Sequence, residues 1–408
     1  MTSQSPGLEG KTLVLDRVIQ GTLVVFVIAS MFSISVTQIS FSIGALAWLI
    51  KAYITKSWKE ISLSMVEILI LIFCLACVLA VATSVDFETS VKSLKKTLQF
   101  IIFFWVAHNV SNEKQRDLLI KLLVVAGCVA AINGFSQTLE TALTIASRVS
   151  GTMSTYMTFA GVLMLVGLFA LGNFLFQKNK NYWILSGIAI ICSCLLLTLT
   201  RQAWLGFFVG TLFLVYFWNK KFLLAIPLIL AGFLLFSPES VKDRLYTMVD
   251  LKDWTLQARI FLWQGGWAIF QDHPITGCGF KCVDVINSQY PDPSGYIAKH
   301  RGMHNNVIQL MVDTGILGAS LWISIWVAYF VEVFKRLKRL SEKDDIDGKQ
   351  KGMLMGSLAA LLGFLAGGMF ETNFYDSEVT MLLLFILAIS LIPSNKDDLF
   401  QTSTETPS

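Results

Sequence analysis

Residues 304–334 read HNNVIQLMVDTGILGASLWISIWVAYFVEVF: three polar residues, His304, Asn305 and Asn306, open onto an almost wholly apolar run. A helix crossing a bilayer needs roughly 20 such residues at about 1.5 Å each. This run is long enough, and it decides the class of the chain. Of 408 residues, 54% are hydrophobic and 15% charged, with mean hydropathy +0.63. Soluble domains carry about 25% charged residues. Working outward from 304–334, further apolar stretches lie near 18–34, 37–50, 63–83, 93–107, 118–137, 156–176, 182–200, 202–218, 221–236, 353–370 and 377–393. The first two could form one hairpin or a single broken element.

The expected fold is therefore an all-α polytopic membrane protein with about twelve transmembrane helices and one large periplasmic loop carrying amphipathic helices. Its parts are N-terminal spans over 1–236, the loop over 237–303, C-terminal spans over 304–393, and a polar tail, 394–408, expected to be disordered. Lys and Arg gather in cytoplasmic loops. Here one set of loops holds Lys11 and Arg17, then Lys51, Lys56 and Lys59, then Lys114, Arg116 and Lys121. It continues with Lys178 and Lys180, Lys220 and Lys221, and the run Lys335-Arg336-Leu337-Lys338-Arg339. Both termini are thus expected in the cytoplasm and 237–303 on the exported face. The first apolar run has no small-residue cleavage site and passes into another span, so it reads as an uncleaved anchor. A formal charge of +4 suits such a protein and gives no sign of a nucleic-acid partner.

Cys74, Cys77, Cys128, Cys192 and Cys194 fall in spans and read as packing residues. Cys278 and Cys282 share the exported loop and could form a disulfide; without nearby His ligands they are a weak metal signal. In the same loop Leu256, Ile260, Trp263, Trp267 and Phe270 recur at helical spacing, predicting an amphipathic helix whose aromatic side suits a membrane interface. Arg259 lies about 60° from the centre of that stripe at ~100° per residue, at its boundary with the polar side. Pro274, Gly277 and Gly279 end the helix.

The candidate chemistry gathers on the exported side. His304 can be a residue that merely satisfies the start of its helix. It can also be a base, since imidazole accepts a proton near neutral pH. The second reading gains from Asn305, Gln309 and Asp313, a polar strip at i, i+4 spacing on a helix entering lipid, where polar groups usually face a cavity or partner. Gly315 and Gly318 let another backbone approach or let the helix bend. Arg201 stands in so tight a hairpin (198–205) that its guanidinium must lie at or just beneath the membrane surface; the alternative is a snorkelling anchor. Arg259 is either a headgroup contact or an anion ligand. Arg148 and Arg301 are weaker candidates of the same kind, each readable as a solvated loop charge. Arginine suits a diphosphate because its charge is permanent and its planar fork grips two oxygens. Glu371, Asn373, Asp376, Ser377 and Glu378 form a second polar cluster between two spans. They could pair with the arginines, or a carboxylate could orient His304 or bind a sugar hydroxyl.

Several signals are missing. No Gly-Lys-Ser/Thr phosphate loop points to ATP, no H-E-x-x-H or paired CxxC demands a metal, and no G-x-S-x-G elbow marks a serine hydrolase. No cofactor is expected.

Two motifs resemble those of the O-antigen ligase and polymerase superfamily. His304-Asn305, nine residues, Gly315, two residues and Gly318 fit its His-[Asn/Ser/Gln]-x9-Gly-x-x-[Gly/Thr/Tyr] signature. Arg201-x3-Leu205 fits its companion Arg-x3-Leu motif, and Ala258-Arg259 through Phe280 resembles a segment of its large periplasmic loop. The resemblance implies an inner-membrane glycosyltransferase, independent of metal and ATP, with Arg201, Arg259 and His304 as catalytic residues. Arg148, Arg301, Asn305, Glu371 and Asp376 are the expected substrate-binding residues. The implied donor is a glycan on undecaprenyl diphosphate. An O-antigen ligase would pass it to a sugar hydroxyl of lipid A–core, with inversion if attack is in line. A polymerase would pass it to another lipid-linked unit. The rival of a different class is a transporter or flippase, which tends to show repeats and midplane sites; no repeat is visible here.

Overall fold

The computed structural model describes residues 6–59, 62–110, 112–140, 143–144, 147–225, 232, 235, 239–249, 253–292, 294–342 and 348–392. Among them every regular element is helical. In chain order the helices are α1 Pro6–Ala29, α2 Ile34–Thr55, α3 Met65–Ala82, α4 Phe87–Leu94, α5 Ile101–Asn109, α6 Glu113–Glu140, α7 Tyr156–Phe176 and α8 Tyr182–Leu197. They continue as α9 Arg201–Asn219, α10 Glu239–Val249, α11 Trp254–Asp272, α12 Val283–Ile286, α13 Tyr296–His300, α14 Asn306–Glu342, α15 Lys349–Gly367 and α16 Ser377–Ser390.

Seven described helices are long and apolar enough to cross a membrane: Thr12–Ala29, Ile34–Thr55, Met65–Ala82, Glu113–Leu139, Tyr156–Phe176, Arg201–Ala225 and Asn306–Leu340. The remaining expected spans have other forms. Stretches 182–200 and 377–393 hold helices of 16 and 14 residues, and 353–370 holds part of the 19-residue α15. Stretch 93–107 is split into the end of α4, a 3-10 segment Lys95–Phe100 and α5. Most of 221–236 and the whole polar tail 394–408 lie outside the described residues.

The centre of the bundle is α15, whose sequence is apolar all round and mostly buried, as a helix surrounded by others should be. Small residues set its contacts. Gly172 of α7 lies against Gly356, and Gly206 of α9 against the Gly363 carbonyl, so the three backbones pack at close range, the usual device where lipid supplies no hydrophobic drive. At one end of the bundle Arg116 is fully buried. It donates to Gln350 Oε1 (2.8 Å) and the Ile392 carbonyl (2.9 Å). The sequence groups this arginine with solvated loop charges; instead it ties α6 to the Gln350 side chain of α15 and to a carbonyl in the chain leaving α16, where a helix end leaves carbonyls without intrahelical donors.

At the other end α14 is broken at Gly315 (φ 62°, ψ −164°), a conformation open in practice only to glycine. The loop after α11 fills the break. Cys278 N–H donates to the Val312 carbonyl (2.9 Å) and Gly279 N–H to that of Asp313 (3.1 Å). Ile316 N–H donates to the Pro274 carbonyl (2.9 Å) and Leu317 N–H to that of Ile275 (3.3 Å). Four backbone groups beside the kink thus find partners in that loop, as burial requires. Cys278 and Cys282 are joined as a disulfide, with their Cα atoms 5.7 Å apart. A Cβ on Gly315 would strike the Ile275 carbonyl. Gly315→Ala is therefore expected to cost about 1–3 kcal/mol from backbone conformation alone. Thermal unfolding in detergent checks this, against Gly21→Ala, where a Cβ meets nothing within 4 Å.

Candidate functional site

His304 lies between α13 and α14 with its backbone left-handed, at φ 46°. Its neighbours explain how that turn is held. Asn305 caps α14, its Oδ1 accepting from the N–H groups of Val307 (2.9 Å) and Ile308 (3.1 Å). The Asn305 amide donates to the Met369 carbonyl (3.0 Å). Asn306 N–H donates to the Gly368 carbonyl (2.8 Å), and its side chain donates to Asn373 Oδ1 (2.6 Å). The start of α14 is in this way stitched to the 368–373 turn, which carries Glu371.

The result is a dyad. His304 Nδ1 stands 3.0 Å from Glu371 Oε1, an oxygen that also accepts from Thr372 N–H at 3.1 Å. Burial pushes the Glu371 carboxyl upward, but the His304 hydrogen bond and charge, the Thr372 N–H and Arg259 outweigh it and hold it below its ordinary 4.5. An ionised Glu371 selects the tautomer with hydrogen on Nδ1, leaving the Nε2 lone pair free for a proton. The His304 side chain is 29% exposed and that of Glu371 15%, so the pair is accessible from one side. Glu371 Oε2 is buried and has no hydrogen-bond partner.

The arginines approach the same turn. Arg259 Nε donates to the carbonyl of Phe370 (2.9 Å), the residue before Glu371. One turn earlier on α11, Asp253 and Thr255 hold Arg201. Its Nη2 donates to Asp253 Oδ1 (3.1 Å) and Thr255 Oγ1, and its Nη1 to the Thr247 carbonyl (2.6 Å). Asp253 Oδ1 also caps α11 through Thr255 N–H (3.0 Å) and Leu256 N–H (3.3 Å), so one carboxylate starts the helix and fixes the guanidinium. Hydrogen bonds from Thr255 and Arg201 overcome burial and hold Asp253 low. Arg148 stacks on Tyr156 at 4.4 Å, and Arg244 Nε donates to the Leu199 carbonyl (3.2 Å).

These guanidinium groups repel one another. Burial first, then Arg201 and Arg148, push Arg244 down to about 10. Arg148 is lowered by burial and by Arg201, and Arg259 by burial, against the pull of Glu371. Among the described residues, the carboxylates that act on these arginines are Asp253 and Glu371. Helices α7, α9, α14 and α16 also begin at this end of the bundle, adding the partial positive charge of their N-termini. Such a site favours a polyanion.

The sequence-derived candidates divide cleanly. His304, Glu371, Arg259, Arg201 and Arg148 converge; Asn305 is buried, its oxygen capping α14 and its amide on the Met369 carbonyl. Asp376 faces elsewhere. It accepts from Thr158 Oγ1 (2.6 Å) and heads α16, with its carboxyl pushed up to about 7 by burial and by Glu378. Arg301 is 53% exposed, with Asp284 at 3.8 Å. Arg244, one of the cations that the inserted segment supplies, joins the cluster, and one contributor went unassigned in the sequence: Asp253, whose signal was an Asp directly before a helical pattern.

The amphipathic pattern of α11 predicts the helix correctly but not its inward face. Ala258, Leu262, Gly265, Gly266 and Ile269 are buried, while Trp267 is exposed. The reason is steric: side chains of Ile297, Met303 and Ile308 sit where Cβ atoms on Gly265 and Gly266 would be. Small residues give a face no hydrophobic signal yet allow the closest packing. The inward turn carries Arg259 with it. Trp263 stays at the edge and donates to the Met303 carbonyl (3.0 Å). Beside Asn306 and Met369, an apolar groove of about 200 Å³ runs between α14 and α15, lined by Val307, Ile323, Val327 and Leu365.

Residues 186–323 match the family model described as O-antigen ligase. Over 116 residues the chain is 32% identical to the exopolysaccharide production protein ExoQ of Rhizobium meliloti (strain 1021). That match spans 27% of this chain and only 25% of the relative. The resemblance read from the motifs is thus borne out over the segment that supplies Arg201, Arg244, Arg259 and His304.

Proposed function

We propose that this O-antigen ligase-like chain is a glycosyltransferase of the bacterial inner membrane. It moves a glycan from undecaprenyl diphosphate to a sugar hydroxyl of lipid A–core at the periplasmic face, acting as an O-antigen ligase. What carries the reading is the juxtaposition of a largely buried arginine cluster with the His304–Glu371 pair. The diphosphate docks among Arg201, Arg259, Arg148 and Arg244, and the polyprenyl tail lies in the apolar groove between α14 and α15. The acceptor oxygen forms a bond to the anomeric carbon as the carbon–oxygen bond to the diphosphate breaks. The diphosphate leaves with the electron pair, its charge met by guanidinium groups already in place. The acceptor proton passes to His304 Nε2. Glu371 Oε1 orients the ring, and its unpartnered Oε2 is placed to accept from a sugar hydroxyl. No ATP or metal enters, because the diphosphate linkage stores the driving force.

A second reading, a polymerase extending one lipid-linked unit with another, is favoured by the likeness to an exopolysaccharide production protein. Reconstitution with undecaprenyl-diphosphate glycan and both acceptors separates them. Transfer to lipid A–core supports the ligase, and growth on the carrier supports the polymerase. Movement of label across the bilayer without glycosidic bond formation would refute both.

Glu371→Gln tests the dyad. Transfer is expected to fall by about 10²-fold as His304 loses its orienting charge. A carboxyl held low stabilises the fold above its unfolded pKa and loses that contribution as pH drops through the folded one. The melting-temperature gap between wild type and Glu371→Gln should therefore be full at pH 7 and close at acidic pH, below about 4.5. A gap that is constant across this range would mean that the fold does not hold the Glu371 carboxyl below its ordinary value.

A further inference from the structure

A second cavity opens between α3, the 3-10 segment Lys95–Phe100, the loop after α11 and the turn Asn373–Tyr375. It encloses about 40 Å³. One water needs roughly 10–15 Å³ by this measure, so the space seats a small cluster of polar atoms. Most of its wall is apolar, Phe73 and Phe280 included, yet Lys96 and Lys281 both line it. Their charges repel each other, against the pull of Asp376, Asp313 and Glu378 on Lys96. Among the described residues, neither lysine has a carboxylate at ion-pair distance, and Lys96 spends one donor on the Tyr375 carbonyl (2.7 Å). Gln99 lines the same cavity; it is 8% exposed, and its Oε1 is buried without a partner. Buried polar groups are nearly always satisfied, and an orphan acceptor costs free energy. The wall therefore presents two donors of positive charge and one acceptor awaiting a hydrogen.

We propose that this cavity binds a phosphate bearing a neighbouring hydroxyl, as in a glycerol-phosphate headgroup. The phosphate oxygens sit between Lys96 and Lys281, the hydroxyl donates to Gln99 Oε1, and the hydrocarbon lies on Phe73 and Phe280. The site is wired to the dyad. Tyr375 Oη donates to Asp313 Oδ2 (2.5 Å), and Gln309 Nε2 donates to Asp313 Oδ1 (3.1 Å). Gln309 Oε1 accepts from Met303 N–H (2.8 Å), the residue before His304. Occupancy at Lys96 thus bears on the turn that presents the imidazole.

The test uses full-length protein in nanodiscs and does not depend on glycan transfer. One arm compares phosphatidylglycerol with phosphatidylcholine at a fixed ratio and measures the lipid retained on extraction by native mass spectrometry. The other adds glycerol 1-phosphate to phosphatidylcholine discs. Wild type is expected to enrich phosphatidylglycerol about tenfold, the worth of one charge-assisted hydrogen bond, and Lys96→Gln or the exposed Lys281→Gln to abolish that preference. Displacement of the lipid by glycerol 1-phosphate would assign the site to a soluble phosphate, and its failure to a membrane headgroup; both keep the chemistry proposed. Gln99→Leu, which removes the orphan acceptor, should raise the melting temperature in neutral lipid while weakening phosphatidylglycerol retention. A purely structural glutamine would not do both. Equal retention of the two lipids, or variants that behave as wild type, would overturn the proposal.

Discussion

His304→Ala should reduce glycan transfer by about 10²–10⁴-fold, the contribution of a positioned base, with expression unchanged. Removing the ring also leaves Glu371 with an unbalanced, largely buried charge, which can itself destabilise a protein. His304→Gln separates the two effects: its amide can still donate to Glu371 Oε1, yet it cannot take a proton at neutral pH. If the ring acts as a base, both variants lose transfer, and the glutamine variant keeps a melting temperature close to wild type. The measurement is single-turnover transfer in proteoliposomes supplied with both lipid substrates. Wild-type turnover in His304→Gln would remove the imidazole from the chemistry and leave it as a structural link to the 368–373 turn.

Arg259→Ala should cost about 10²–10³-fold in kcat, as is typical when one preorganised donor to a developing negative charge is deleted. Arg259→Lys should recover only part of that. Lysine keeps the charge, but it lacks the planar fork and the Nε that donates to the Phe370 carbonyl. Because the half-buried guanidinium also acts on the Glu371 charge, the alanine variant loosens the carboxylate that holds His304. The double variant Arg259→Ala/His304→Ala should then be little worse than either single one, as expected for groups acting as a unit. Full additivity, in kcat measured by single turnover, would mean that the arginine and the dyad work independently.

Much of this was legible in the residues. The polar residues before an apolar run marked the start of α14, and the spacing of Leu256 to Phe270 gave α11. Gly315 stood where a left-handed kink was needed, and the short 198–200 link put Arg201 at the end of a helix. Local signals of this kind survive because capping, periodicity and glycine's conformational freedom act over a few residues. Arg116 shows the limit. Its neighbours in sequence mark it as a loop charge, whereas the carbonyl and amide that bury it come from residues 350 and 392.

What the sequence determined by itself was an apolar, all-helical chain with a histidine and several arginines at the ends of its spans. Only the tertiary structure decided which of them meet. Glu371 rather than Asp376 faces His304 because Asn305 and Asn306 clamp the 368–373 turn across more than sixty residues of chain. Arg259 turns inward because two glycines on α11 let Ile297, Met303 and Ile308 pack against its backbone. Such contacts depend on the absence of side-chain bulk and on carbonyls far away in sequence, and neither leaves a mark in a local pattern.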